Sequence, residues 1–168
     1  MTSTPARRSR QRRSRALSPD EYGSFIGQIE LEEIWLGHAE VENAKEPGSP
    51  LKTAEVAVGS GADWTPDERG FRARHRYTLD ISDGDEDWGS IRLEFNLRFR
   101  SQAPMTDDIF DTFKDVNLPV NTWPYLREFV ASMTGRMGWA QLTLPALKRV
   151  EGGLRVTNVG RWPPTAGA

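Results

Sequence analysis

The chain has no cysteine and only two histidines in 168 residues. Disulfides, thiolate zinc sites and a cysteine nucleophile are therefore excluded, and a reducing, cytoplasmic setting is compatible with the composition. Apolar runs are short as well. None approaches the roughly 18–20 residues that a bilayer-spanning helix needs, and no apolar stretch follows the N-terminal arginines to make a secretory signal. Acids are missing from one place only. Residues 1–17 contain six arginines, at positions 7, 8, 10, 12, 13 and 15, and no Asp or Glu. Setting those six aside from 22 basic residues leaves 16 against 24 acidic ones, a formal charge of about −8 for the remainder. The sequence is an acidic domain carrying a basic arm.

Residues 1–19 are rich in Arg and Ser with almost no large apolar side chain, so the segment cannot offset its own ordering entropy and is expected to be disordered. Such an arm could release phosphate counterions and bind nucleic acid. A solvated tail is the plainer reading, and nucleic acid is not the expected partner.

From Ser24 the pattern turns strand-like. Gln28–Glu42 holds Ile29, Leu31, Ile34, Trp35, Leu36, Ala39 and Val41, with a slip near Glu32–Glu33 that a bulge would produce. Glu46-Pro47-Gly48-Ser49-Pro50 reads as a turn or crossover. A short second strand follows at Ala54, Val56 and Val58, closed by Gly59-Ser60-Gly61. Phe71–Ile81 and Ile91–Phe99 then alternate strictly and flank Ser82-Asp83-Gly84-Asp85, which predicts an antiparallel hairpin with one wet face. The arginines of that wet face are expected to pair with Glu30, Glu32, Glu94 and Asp80.

Beyond Pro104 the period becomes helical. Thr106-Asp107-Asp108 opens a short helix with a stripe of Ile109, Phe110, Phe113 and Val116. A break is expected at Asn117–Val120, then a main helix from about Asn121 to Arg136 with Pro124 in its first turn. Between Trp123 and Met137 the only charges are Arg127, Glu128 and Arg136. An amphipathic helix covering one sheet carries a charged outer face. This one has too few charges, so Trp123, Tyr125, Leu126, Phe129, Val130, Met133 and Met137 are expected to bury against both their own sheet and a second subunit.

Candidate chemistry is sparse. His75 sits in the apolar phase of the third strand and reads as a hydrogen-bonded core residue. Asp107, Asp108, Asp111 and Asp115 read as a solvated helix face, since a catalytic or metal role needs convergent carboxylates. Gly59-Ser60-Gly61 lacks the helix and lysine of a phosphate cradle. Neither an enzyme, a metal nor a cofactor is indicated.

Trp123-Pro124-Tyr125-Leu126-Arg127-Glu128, Met133-Thr134-Gly135-Arg136 and Gln141-Leu142-Thr143-Leu144-Pro145 together resemble the C-terminal signature of SecB and SecB-like chaperones. The family's proline before Leu-x-Leu is absent, leaving Trp139-Ala140-Gln141. The resemblance implies an α+β fold over residues 24–150: a four-stranded antiparallel sheet, a short helix, then one long helix packed on it. Residues 151–168 would form a flexible tail. It also implies a homotetramer built as a dimer of dimers, or a homodimer, with helices sandwiched between sheets. The function implied is ATP-independent holding of unfolded or precursor polypeptides for export or protection, in contact with the translocase motor or an antitoxin. Trp35, Leu36, Leu51, Trp64, Trp139, Leu142 and Leu144 are the expected client-binding residues, because tryptophans in or beside polar loops mark a binding surface.

Overall fold

The computed structural model describes residues 18–49, 54–84 and 86–147, together with the backbone of Val159–Gly160. Expectations for the arginine arm through residue 17, for Leu51 and for most of the tail lie outside the described residues.

A short helix, α1 (Pro19–Ile26), precedes the sheet. Sequence periodicity placed no helix here, yet the local chemistry suffices. Ser18 accepts from the Glu21 amide while the Glu21 carboxylate accepts from the Ser18 amide, a capping box with Pro19 at the first helical position. Ser18 and Pro19, expected within a disordered arm, belong instead to this capped helix.

The sheet strands are β1 (Ile29–Asn43), β2 (Ala54–Asp67), β3 (Gly70–Asp83) and β4 (Glu86–Ser101), ordered β1-β4-β3-β2 and antiparallel throughout. The anticipated bulge lies between Leu31 and Glu33, and a second separates Leu36 from His38. Because β1 pairs with β4 rather than β2, the chain must cross over the end of the sheet after Asn43. Glu46–Ser49 turns there, with Gly48 at φ 83. Gly84, at φ 63, makes the tight β3–β4 turn.

The second strand is longer than its alternation suggested. It runs straight through Gly59-Ser60-Gly61, in unbroken register with β3, and so takes Trp64 out of a loop. Glycine weakens a strand interior, but pairing with the strictly alternating β3 overrides it. A two-residue strand, β5 (Val159–Gly160), pairs with Ala54 and Glu55 at the β2 edge.

One helix, α2 (Asp107–Arg136), replaces the expected short and long pair. Pro119 and Pro124 both lie inside it. A mid-helix proline forfeits a backbone hydrogen bond. Here Leu118, Pro119, Thr122, Trp123 and Leu126 are all buried, so packing outweighs that loss. Asn121 and Thr122 also donate from their side chains to the carbonyls of Asn117 and Leu118, one turn back. The helix ends where expected. Gly138 takes φ +79, Met137 donates to Met133 and Trp139 donates to Thr134.

The core lies between α2 and one sheet face. Alternate β3 and β4 residues from Phe71 to Phe99 are buried, and Phe113 sets its edge against the stacked pair Phe71–Phe99.

Candidate functional site

The helix does not cover the whole sheet. Its closest approach is to β2 and β3. Leu36, Ala39 and Val41 stand opposite the core residues Phe95, Leu93 and Ile91 in the β1–β4 register, so they share the helix-side face. They are nonetheless exposed, Leu36 to 44% and Val41 to 36%. Tyr125 borders this uncovered strip, half exposed, with its ring 6.2 Å from Phe95. Phe129 and Met133 follow at one-turn intervals and are partly buried.

The seven helix residues expected at an interface therefore divide. Trp123, Leu126, Val130 and Met137 bury in the chain's own core. Tyr125, Phe129 and Met133 form the flank beside the open half of the sheet. Val120, which sequence placed in a break, is exposed on the helix.

The opposite flank of α2 is closed by residues 139–147. The Thr134 hydroxyl accepts from the Leu142 amide at 2.9 Å, the Trp123 indole donates to the Pro145 carbonyl, and Arg127 donates to the Leu144 carbonyl. This segment buries Trp139, Leu142 and Leu144. Trp139 sets its edge against Trp88 at 5.3 Å, and Lys45 caps the Trp88 ring. Trp139, expected at a client-binding surface, is thus buried. Trp88 belongs to β4, and each indole supplies the other's apolar wall.

The expected client-binding residues do not converge on one groove. Leu36 faces the helix side, whereas its neighbour Trp35, 40% exposed, lies opposite Asn96 on the outer face. Trp64 stands at the other side of the sheet, on β2. It is partly buried beside Phe110, and its indole donates to Asp107. Val56 and Val58, also partly buried, share the helix-side face with Trp64. Single-sequence patterning marked Val41, Val56 and Val58 only as strand residues. Their exposure depends on where the helix lies, which periodicity does not encode.

The outer face is an ion-pair lattice. Arg74 and Arg76 both reach Asp63, Arg76 also reaches Glu94, Arg72 and Arg98 reach Asp67, and Arg100 pairs with Glu30 and Glu32. Partial burial would raise the Asp63 carboxyl, but hydrogen bonds from Arg74 and Arg76 outweigh it and hold it below the usual carboxylate range. Glu30, Glu32 and Glu94 serve as anticipated, while Asp63 and Asp67 take the role given to Asp80. These arginines are engaged by acids rather than presented as a free cationic platform.

One buried polar cluster joins β3 to α2. Nδ1 of His75 and the hydroxyl of Tyr77 lie 2.9 and 2.8 Å from Oγ1 of Thr122. Burial, reinforced by Arg76, lowers His75 to about 4, and burial raises Tyr77. The cluster is core, since His75, Tyr77 and Thr122 are all buried. Among the described residues, no group of three or more His, Cys, Asp or Glu is arranged to hold a metal, and no helix is long and apolar enough to cross a membrane.

No family model matches the chain, and no curated protein does. Among solved structures it is similar to a SecB-like chaperone of Mycobacterium tuberculosis, Rv1957, solved in complex with a ChAD peptide from the Rv1956 HigA1 antitoxin. The TM-score is 0.67 at 20% identity, over 77% of this chain and 98% of that one. A protein of unknown function from Streptococcus agalactiae aligns at 13% identity and TM-score 0.38, over 70% and 97% of the two chains. The sheet order, the long helix on one face and the extent of the first of these matches show that this chain has the fold of a SecB-like chaperone.

Proposed function

We propose that the protein is a holding chaperone that keeps extended apolar segments of other polypeptides from aggregating, without nucleotide. The observation that carries this reading is the uncovered apolar surface on the helix side, where Leu36, Val41 and Tyr125 are exposed. A second copy covers the flank of Tyr125, Phe129 and Met133. Client segments are held at the margins of the sheet, by backbone pairing and by apolar contact with Leu36 on one side and Val56, Val58 and Trp64 on the other. Trp139, Leu142 and Leu144 belong to the chain's own core in this conformation and would join a client surface only if residues 139–147 lifted away. The test is stoichiometric suppression of aggregation of an unfolded client without ATP, together with sedimentation mass. A monomer that fails to hold client would overturn the reading.

A narrower role is favoured by the antitoxin peptide bound to the mycobacterial neighbour. In that reading this chain guards a single antitoxin-like partner. Protection of one such chain, with no effect on general unfolded clients, would select it.

A further inference from the structure

Three side chains on one face of α2 address an extended main chain. Trp123, Arg127 and Thr134 stand at i, i+4 and i+11, so they share that face. Each contacts a backbone atom of the segment that follows the helix. Trp123 donates to the Pro145 carbonyl at 2.9 Å, Arg127 donates to the Leu144 carbonyl at 2.7 Å, and Thr134 accepts from the Leu142 amide at 2.9 Å. The segment therefore runs back along the helix, antiparallel to it. Residues 140–147 form neither helix nor strand. Gln141 and Thr143 are exposed while Leu142 and Leu144 are buried, the period-two pattern of an extended peptide lying in a groove. Bonds to main-chain atoms carry no sequence information, so another extended segment of the same apolar phase meets the same two donors and one acceptor.

One end of this groove is left with unmatched polar groups. Trp88 and Trp139 are 2% and 6% exposed, and neither indole N–H has a hydrogen-bond partner. Buried donors are nearly always paired, and leaving one unpaired costs free energy. That cost falls on the closed arrangement, because lifting the segment returns the Trp139 N–H to water and uncovers Trp88. Gly138, at φ +79, stands immediately before Trp139 and supplies the pivot. We propose that residues 139–147 are a built-in pseudosubstrate, which fills in cis a polypeptide-binding groove on α2 and is displaced by an extended client segment. The substrate class follows from what now sits there. It is an aromatic residue followed three and five positions later by apolar ones, as in Trp139-Ala140-Gln141-Leu142-Thr143-Leu144. This role rests on the reading that the protein holds extended apolar segments.

The experiment uses the full chain and its Leu142→Ser, Leu144→Ser variant, which loosens the strap and leaves the α2 face intact. The probe is a fluorescein-labelled peptide of residues 138–147. It should bind the variant about tenfold more tightly than the native chain, because a groove filled in cis is competent only in its open fraction. The same peptide carrying Leu142→Ser and Leu144→Ser should bind neither protein. Equal binding of the first peptide by both proteins, or binding by neither, overturns the proposal. Should the variant fail to fold, the native chain decides. Saturating peptide should speed exchange of the Leu142 amide about tenfold while β3 keeps its protection, and unchanged exchange overturns displacement. Carboxymethylated α-lactalbumin, a permanently unfolded protein, separates the two readings. If the peptide binds as expected but neither protein holds this client, the groove stands and the chaperone reading falls. If native chain and variant hold it equally, the chaperone reading stands and the strap is plain core.

Discussion

Thr122 sits at the centre of a buried polar cluster, with its hydroxyl 2.9 Å from Nδ1 of His75. The same hydroxyl donates to the Leu118 carbonyl. It therefore accepts from His75 and, on its remaining lone pair, from the Tyr77 hydroxyl. That count requires the neutral histidine tautomer with its proton on Nδ1. Thr122→Val keeps the shape and strands two buried donors, so stability in urea should fall by about 2–4 kcal/mol. Thr122→Ser, which keeps the hydroxyl, should fall by much less. Equal losses would show that the methyl group, and not the hydrogen bonds, matters there.

Burial gives His75 a pH signature. Its folded value is about 4, against 6.5 for the unperturbed group. Between those values the unfolded chain binds a proton that the folded chain excludes, so stability rises with pH across that window. The contribution is complete above about pH 6.5 and is lost as pH falls toward 4, reaching roughly 3 kcal/mol. Urea unfolding at pH 7, 6 and 5 should show this slope. A His75→Gln variant, which keeps a donor and cannot titrate, should lose it even if it is less stable throughout.

Much of this was legible in the sequence, and the misses have physical causes. Strict alternation in β3 and β4 reports a half-buried sheet directly, and His75 in the apolar phase reports a core histidine. Asn117–Val120 carries helix-breaking chemistry that only tertiary burial of Leu118 and Pro119 overrides. Gly59-Ser60-Gly61 looks like an end because the partner strand that sustains it is distant in sequence. The site suffered most. Trp88 and Trp139 are 51 residues apart, and each looks hard to bury until the other is placed. Leu36 and Trp35, adjacent in sequence, emerge on opposite faces because a strand alternates.

The segment after α2 is held by three side chains of that helix, and Thr134 is the innermost. Its hydroxyl donates to the Val130 carbonyl and accepts from the Leu142 amide. Thr134→Val leaves that buried amide unpaired, a cost of about 1–3 kcal/mol. The loss should be local. Amide exchange should accelerate across residues 139–145 while β3 and β4 keep their protection. Uniform acceleration through the sheet would mean that the segment unfolds only with the whole domain.

The flank of Tyr125, Phe129 and Met133 separates an assembly surface from ordinary surface apolarity. Tyr125 is 50% exposed within one chain, so a charged replacement there should cost the fold little, within about 0.5 kcal/mol. If a second copy covers it, the same replacement desolvates unpaired charge at the interface and breaks it. Tyr125→Glu should therefore lower the sedimentation mass to that of a single chain, with far-UV circular dichroism unchanged. A matched change at Val120, exposed to 61% and outside this flank, should leave the mass as it was. If Val120→Glu dissociates the assembly and Tyr125→Glu does not, the contact runs over the opposite side of α2.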